Sequence, residues 1–253
     1  MAARATYPDL KGQTVLVTGG ASGIGESIVR HFSAQGSKVG FIDLDADAGT
    51  ALANELADSA GVSFQVCDLR DVDALRKAVA AIRQALGPIT ILINNAARDD
   101  RHAIDDVTSD YWDDRMATNL KHQFFAAQAV YPDMAAAGGG SIINMGSTSW
   151  MLGQGGMPCY TTAKSAVQGL TRSLARDFGP MNIRVNSVLP GWIMTPRQIE
   201  MWLTPESEAG LMERQCLKRK LVPEDIARAV LFFASDEASA CTNQSYIVDG
   251  GWL

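Results

Sequence analysis

A short apolar run, Thr14–Thr18 (TVLVT), passes directly into the glycine-rich segment Thr18–Gly25 (TGGASGIG), and a helical pattern, Gly23–Gln35, follows at once. Few backbones accept this order. Glycines at 19, 23 and 25 let the chain turn sharply and bring its backbone close to a bulky anion, and the free N–H groups of the helix start favour negative charge. A glycine-rich run alone marks any turn. With a strand before it and a helix after it, the pattern suits a loop that cradles the diphosphate of a dinucleotide.

The same alternation runs through all 253 residues. Val39–Asp43, Val62–Cys67, Ile89–Ile93, Ser141–Met145, Ile183–Leu189 and Tyr246–Val248 read as further strands, several almost continuously apolar, as strands buried on both faces are. Between them, Ala46–Ser59, Val72–Leu86, Tyr111–Met134, Pro158–Phe178 and Pro223–Ala234 have helical length and composition, with Asp71 a candidate N-cap and Gly36 a candidate C-cap. The expected architecture is α/β: one Rossmann domain over 1–253, a doubly wound parallel sheet of about seven strands with helices on both faces. Residues 192–221 break the pattern, having Pro, Met, Trp and charges without a clear period. They are expected to form an insertion that covers a substrate site.

Composition narrows the function classes. The formal charge is −6, and the longest basic stretch is Lys218-Arg219-Lys220, too short for a nucleic-acid footprint. No apolar run approaches the length of a membrane span, and Met1–Leu10 lacks the apolar segment of a secretory leader. The four cysteines, at 67, 159, 216 and 241, form no CxxC pair, and the three histidines have no zinc-type spacing. A cytoplasmic protein with reduced thiols and no metal is expected.

Two further features carry chemistry. Asp43 closes the second strand, where a carboxylate can accept hydrogen bonds from an adenosine ribose and repel a 2′-phosphate, which favours NAD over NADP. The competing role for Asp43 is a helix N-cap, which Asp45 can also fill. Tyr160 and Lys164, spaced i and i+4, share a helix face. A cation beside the phenol is expected to lower its pKa and make a general base. Ser147, just past an apolar strand, can hydrogen-bond a reacting oxygen. Asn119 lies in a helical stretch, and Asn94-Asn95-Ala96-Ala97 ends a strand.

Taken together, TGGASGIG, Asp68, NNAA, Asn119, Ser147, YTTAK and Pro190-Gly191 resemble the short-chain dehydrogenase/reductase family over nearly the whole chain. The resemblance implies a catalytic set of Asn119, Ser147, Tyr160 and Lys164, with Asn119 holding a water that links Lys164 to solvent, and Lys164 also holding the nicotinamide ribose. It implies that Gly19, Ser22, Gly23, Ile24 and Gly25 contact the pyrophosphate and ribose. Asp68 and Leu69 would form the adenine pocket, and Asn95, Ala96 and Ala97 the wall along the ribose. Pro190, Gly191, Ile193 and Thr195 would border the nicotinamide. Ala97 departs from the pattern, which usually has Gly there.

Three stretches go further: Arg98-Asp99-Asp100-Arg101-His102, Ser147-Thr148-Ser149-Trp150, and the tail from Arg197, with Thr204-Pro205-Glu206, Gln215-Cys216-Leu217-Lys218 and Gly250-Gly251-Trp252. They resemble bacterial NAD-dependent sugar 1-dehydrogenases of the D-xylose type. That resemblance implies hydride transfer from C1 of an aldose to NAD, giving an aldonolactone, and a homotetramer. Asp99, Arg101, Ser149, Gln154 and Arg197 can supply hydrogen bonds to a sugar, and Trp150 and Trp192 an aromatic face. A charged loop paired with itself, and tryptophans in core or interface, explain the same residues. Competing readings are a dehydrogenase of another secondary alcohol (a steroid, a cyclic alcohol or a 3-hydroxyacyl compound) and a non-catalytic NADH-binding sensor. Trp252-Leu253 can pack between subunits or onto their own domain.

Overall fold

The computed structural model describes residues 5–253. Met1–Arg4, the start of the stretch read as lacking a leader and of the 1–253 domain, lie outside the described residues. The chain runs β1 (Thr14–Thr18), α1 (Gly23–Ala34), β2 (Lys38–Asp43), α2 (Ala46–Glu55), β3 (Val62–Val66), α3 (Val72–Leu86) and β4 (Ile91–Asn94). It continues with α4 (Ser109–Met116), α5 (His122–Ala136), β5 (Gly140–Met145), α6 (Pro158–Phe178) and β6 (Ile183–Pro190). The last elements are α7 (Pro196–Trp202), α8 (Pro205–Arg214), α9 (Pro223–Ala234) and β7 (Ser245–Val248).

All seven strands are parallel, in the order β3-β2-β1-β4-β5-β6-β7. Strand order reverses between β1 and β4, and ligands of such sheets bind outside the strand ends at that point. Successive side chains point to opposite faces, so each apolar run serves two layers. Val15 and Val17 pack with Ile28 and Phe32 of α1 and Ile226 and Val230 of α9. Leu16 packs on the other side with Leu75 and Val79 of α3, Val130 of α5 and Leu174 of α6. Each buried Leu, Ile or Val contributes about 1.5–3 kcal/mol, against about 0–1 kcal/mol for a surface ion pair. The two layers therefore hold the sheet, and the many exposed ion pairs do not.

The structure departs from the sequence expectation in four places. The expected helix Tyr111–Met134 is α4 and α5 joined by a five-residue π-helical turn, Ala117–Lys121. The wider turn turns Asn119 fully inward. β4 begins at Ile91, because the Ile89 N–H bonds the Asp133 carboxylate at 3.1 Å. α2 stops at Glu55, four residues short of Ser59. Finally, 192–221 is not irregular: Thr195 caps α7 and Thr204 caps α8, each followed by a proline in the first helical turn.

Candidate active site

The carboxyl ends of the central strands open onto a cleft of about 1270 Å³. One end is built from backbone. Gly19 and Gly23 have φ of 65° and 57°, a conformation that favours glycine. A Cβ on Gly25 would overlap the Gly19 carbonyl oxygen outright and lie 2.6 Å from Asn95 Nδ2. Asn95 Nδ2 itself donates to the carbonyl oxygens of Gly19 (2.9 Å) and Thr18 (3.1 Å), locking the loop to the end of β4. Ser22 is the N-cap of α1, yet its hydroxyl makes no cap bond. The first-turn N–H groups thus stay available to an anion. Ser22 and Ile24 line the cleft beside the three glycines, so loop and helix start together fit a diphosphate.

Asp43 lies next along the rim. Its Oδ2 accepts from the Ala21 N–H at 2.9 Å and its Oδ1 from the Asp45 N–H at 3.1 Å. The cap of α2 is Asp45, which accepts from the Ala48 N–H. The competing N-cap role for Asp43 therefore falls away, and its carboxylate is held at the cleft edge. Asp68 and Leu69 follow β3 on the same rim. Arg70 bonds Asp68 through backbone and guanidinium and holds its carboxyl below the usual range. Ala96 and Ala97 form one wall, and Pro190, Gly191, Ile193 and Thr195 the other. The Ala97 methyl is thus accommodated at the cleft surface.

At the far end stand Ser147, Tyr160 and Lys164. Ser147 follows β5, and its hydroxyl donates to Ser149 Oγ at 3.0 Å. Lys164 is 1% exposed, and its Nζ donates to the Met145 carbonyl oxygen at 2.8 Å and lies 5.7 Å from the Tyr160 ring centroid. Burial pushes the Lys164 ammonium down to about 8, against the pull of the Asp99 carboxylate. The expectation that Lys164 lowers the Tyr160 pKa is corrected here. Burial pushes the phenol up, Asp99 adds to that rise, and a hydrogen bond with Ser147 and the charge of Arg101 act against it. Desolvation outweighs every cation around the phenol.

Asn119 is buried and lies outside the cleft lining. Its Oδ1 accepts from the Arg98 N–H at 2.8 Å and its Nδ2 donates to the Arg115 carbonyl oxygen at 3.0 Å. The side-chain amide is occupied in tying α4 to the loop after β4. Only the backbone carbonyl remains for a water, and it receives Gln123 Nε2 at 3.4 Å.

Comparison with known proteins gives the family. The model of the family described as "Enoyl-(Acyl carrier protein) reductase" matches residues 19–253. The "Probable galactose dehydrogenase GalD" of Rhizobium meliloti (strain 1021) is 49% identical, covering 97% of this chain and 96% of its own. The D-xylose 1-dehydrogenase of Caulobacter vibrioides (strain NA1000 / CB15N) is 47% identical, covering 98% of both chains. A solved structure named as a short-chain alcohol dehydrogenase of Sinorhizobium meliloti 1021 superposes with a TM-score of 0.90, at 32% identity, over 97% of this chain and 98% of its own.

The chain is a short-chain dehydrogenase/reductase. In this family the cleft binds a nicotinamide dinucleotide, and the glycine cradle and the Asp43 rim fit one.

In this short-chain dehydrogenase/reductase, the cleft wall around Tyr160 draws on four segments: Asp99 and Arg101 after β4, Ser149 and Gln154 after β5, Trp192 after β6 and Arg197 of α7. Asp100 is absorbed by Arg98, Arg115 and Arg197, whose Nη2 donates to it at 2.8 Å. Arg101 lies over the Trp202 ring at 5.0 Å. Trp150 does not line the cleft, which corrects its expected aromatic role. It sits half-buried in the turn after Ser149. Trp252 lines the cleft of its own chain, under Arg214 at 5.3 Å, so the tail folds back onto its own domain.

Among the lining residues that the sequence reading does not name are Arg115, Gln198, Trp202 and Arg214. The Thr-Pro pairs at 195–196 and 204–205 were the available signal, since they start the helices that carry three of them. No helix among the described residues is long and apolar enough to cross a membrane.

Proposed function

We propose that this chain is an NAD-dependent aldose 1-dehydrogenase, oxidising C1 of a pentose such as D-xylose or L-arabinose, or of a hexose such as D-galactose or L-fucose, to the aldonolactone. The observation that carries this reading is the hydrogen-bonding wall above Tyr160, with Asp99, Arg101, Gln154 and Gln198 facing the same cleft. A sugar offers hydroxyls to the hydrogen-bonding capacity these groups keep beyond the Gln198–Asp99 bond, whereas a steroid or acyl chain would desolvate it with no partner, which is costly. The likeness to two sugar dehydrogenases over nearly full length supports it.

The C1 hydroxyl sits between Ser147 and Tyr160. Tyr160, ionised, takes the hydroxyl proton while the C1–H bond breaks and the ring carbon becomes the lactone carbonyl. Ser147 holds the reacting oxygen throughout. A nicotinamide dinucleotide held along the glycine cradle and Asp43 would supply the hydride acceptor. Lys164 would hold the nicotinamide ribose, and its ammonium lies 5.7 Å from the centre of the Tyr160 ring. Asn119 joins the proton path through its backbone carbonyl. Preference for NAD rests on Asp43, whose fixed carboxylate would repel a 2′-phosphate. Residues 192–221, with α7 and α8, cover the substrate.

A homotetramer is supported by the exposed apolar side chains of the edge strand β7, where Tyr246 is 54% exposed. Free thiols at all four cysteines suit the cytoplasm.

The test is NADH formation, followed by absorbance, with D-xylose, L-arabinose, D-glucose, D-galactose and L-fucose, each with NAD and with NADP. Turnover of one or two sugars with NAD is expected. Silence across the panel would sink the sugar reading.

A further inference from the structure

Gln198 carries no role in the reading above beyond facing the cleft. It stands in the first turn of α7 and bonds both ways. The Trp192 indole N–H donates to its Oε1 at 2.9 Å, and its Nε2 donates to Asp99 Oδ2 at 2.8 Å. Trp192, Gln198 and Asp99 all line the cleft that holds Tyr160. The orientation of the amide is fixed by chemistry: an indole N–H only donates, an ionised carboxylate only accepts, and one amide rotamer alone serves both. The second bond is charge-assisted, hence among the stronger hydrogen bonds available.

We propose that Gln198 is a positioning residue for the sugar: its amide clasps α7 to Asp99 and so fixes the substrate-facing wall opposite Tyr160. Three neighbouring contacts act along the same seam. Arg197 Nη2 donates to Asp100 at 2.8 Å, Arg197 Nε stands 3.6 Å from Asp99, and Arg101 lies over Trp202. Both Arg197 contacts involve a half-exposed guanidinium and are of the weak kind, whereas the two part-buried Gln198 bonds hold both ends of one amide. The clasp spans 99 residues of sequence and joins two short pieces, α7 and the segment 98–102, which the Arg197 and Arg101 contacts also bring together. Loss of the clasp would leave Asp99 and Trp192 without the amide that sets them against each other, and a loosened sugar wall weakens binding of the sugar.

This inference rests on the aldose reading, and a double-mutant cycle tests it. Gln198→Glu sets two carboxylates against each other while keeping an acceptor for Trp192. Asp99→Asn on its own weakens the clasp. In the double variant the amide introduced at 99 donates to the carboxylate introduced at 198, and the bond re-forms with reversed polarity. Gln198→Glu alone is expected to raise the KM of the preferred sugar about tenfold or more, with kcat within about threefold. In the Asp99→Asn background the same substitution is expected to raise KM less than about threefold. Hydrogen–deuterium exchange should quicken over 98–102 and 196–202 in Gln198→Glu and slow again in the double variant. Gln198→Leu, which removes both bonds without adding charge, should move KM and exchange in the same direction by less. Wild-type KM and exchange in Gln198→Glu, or KM penalties that simply multiply in the double variant, would overturn the clasp. If the wild type oxidises no aldose, the aldose reading fails by itself, and the exchange pattern still decides the clasp.

Discussion

Lys164 and Tyr160 stand one turn apart on α6, yet the Lys164 ammonium points its one resolved hydrogen bond at the Met145 carbonyl oxygen, not at the phenol. The lysine is anchored to the end of β5, the strand that also delivers Ser147. Strand and helix are thereby tied together beside Ser147 and Tyr160. Burial dominates the surroundings of the phenol and raises its pKa above the ordinary value, so ionisation of Tyr160 is opposed by desolvation.

Tyr160→Phe removes the hydroxyl and little volume. Turnover should fall by about 100-fold or more, the size of a lost general base. NADH affinity, read from quenching of tryptophan fluorescence, should change little. Turnover close to wild type would remove Tyr160 from the role of base.

The pH dependence follows from the charges around the phenol. Asp99 raises the Tyr160 pKa, so Asp99→Asn lowers it and shifts the acidic limb of kcat/KM to lower pH. Arg101 lowers the pKa, so Arg101→Gln raises it and shifts the limb to higher pH. Limbs that move together, or not at all, would show that another group governs the profile.

Asp43→Ala takes away the carboxylate at the cleft edge beside the glycine cradle. The ratio of efficiencies with NAD and NADP should move towards NADP by about tenfold or more, equal to about 1.4 kcal/mol. An unchanged ratio would assign cofactor choice elsewhere.

Gly25→Ala places a methyl group onto the Gly19 carbonyl oxygen. The loop must open, and NADH binding should be lost while far-ultraviolet circular dichroism keeps its α/β signature. Tight NADH binding by this variant would contradict the cradle.

His122 supplies a prediction about stability. Its Nε2 meets the Ala96 carbonyl oxygen at 3.0 Å, and burial, helped by the charge of Lys164, pushes its pKa from 6.5 down to about 3. Between those values the unfolded chain binds a proton that the folded chain refuses. Stability from this group is complete above about 6.5, falls as the pH drops, and stops changing below about 3. Urea unfolding of His122→Gln should show a shallower loss over that window, by up to about 1.4 kcal/mol per pH unit. Parallel pH curves would mean that His122 does not carry this acid sensitivity.

The fold was legible because its signals are local. Apolar runs of strand length, the glycines at 19, 23 and 25, and the Asp71 cap each report on a few residues, and the structure realises them nearly in place. Tyr160, Lys164, Ser147 and Asp43 were legible for the same reason: spacing along one helix and position at strand ends put them on one cleft. The π turn at Asn119 was not, because it depends on how the helix is forced to pack and not on composition. The Tyr160 pKa was misjudged because spacing names the neighbour but says nothing of desolvation, which tertiary packing creates. Gln198 was missed because α7 has only seven residues, too few to show a period. Trp150 looked like a sugar platform by residue type alone, and the turn after Ser149 carries it away from the cleft lining.

The most direct measurement uses an aldose deuterated at C1 with NAD, followed by mass analysis of the reduced cofactor and of the sugar product. Hydride transfer from C1 places deuterium on the nicotinamide ring and yields an aldonolactone without it. Unlabelled NADH, or deuterium retained in the product, would contradict oxidation at C1.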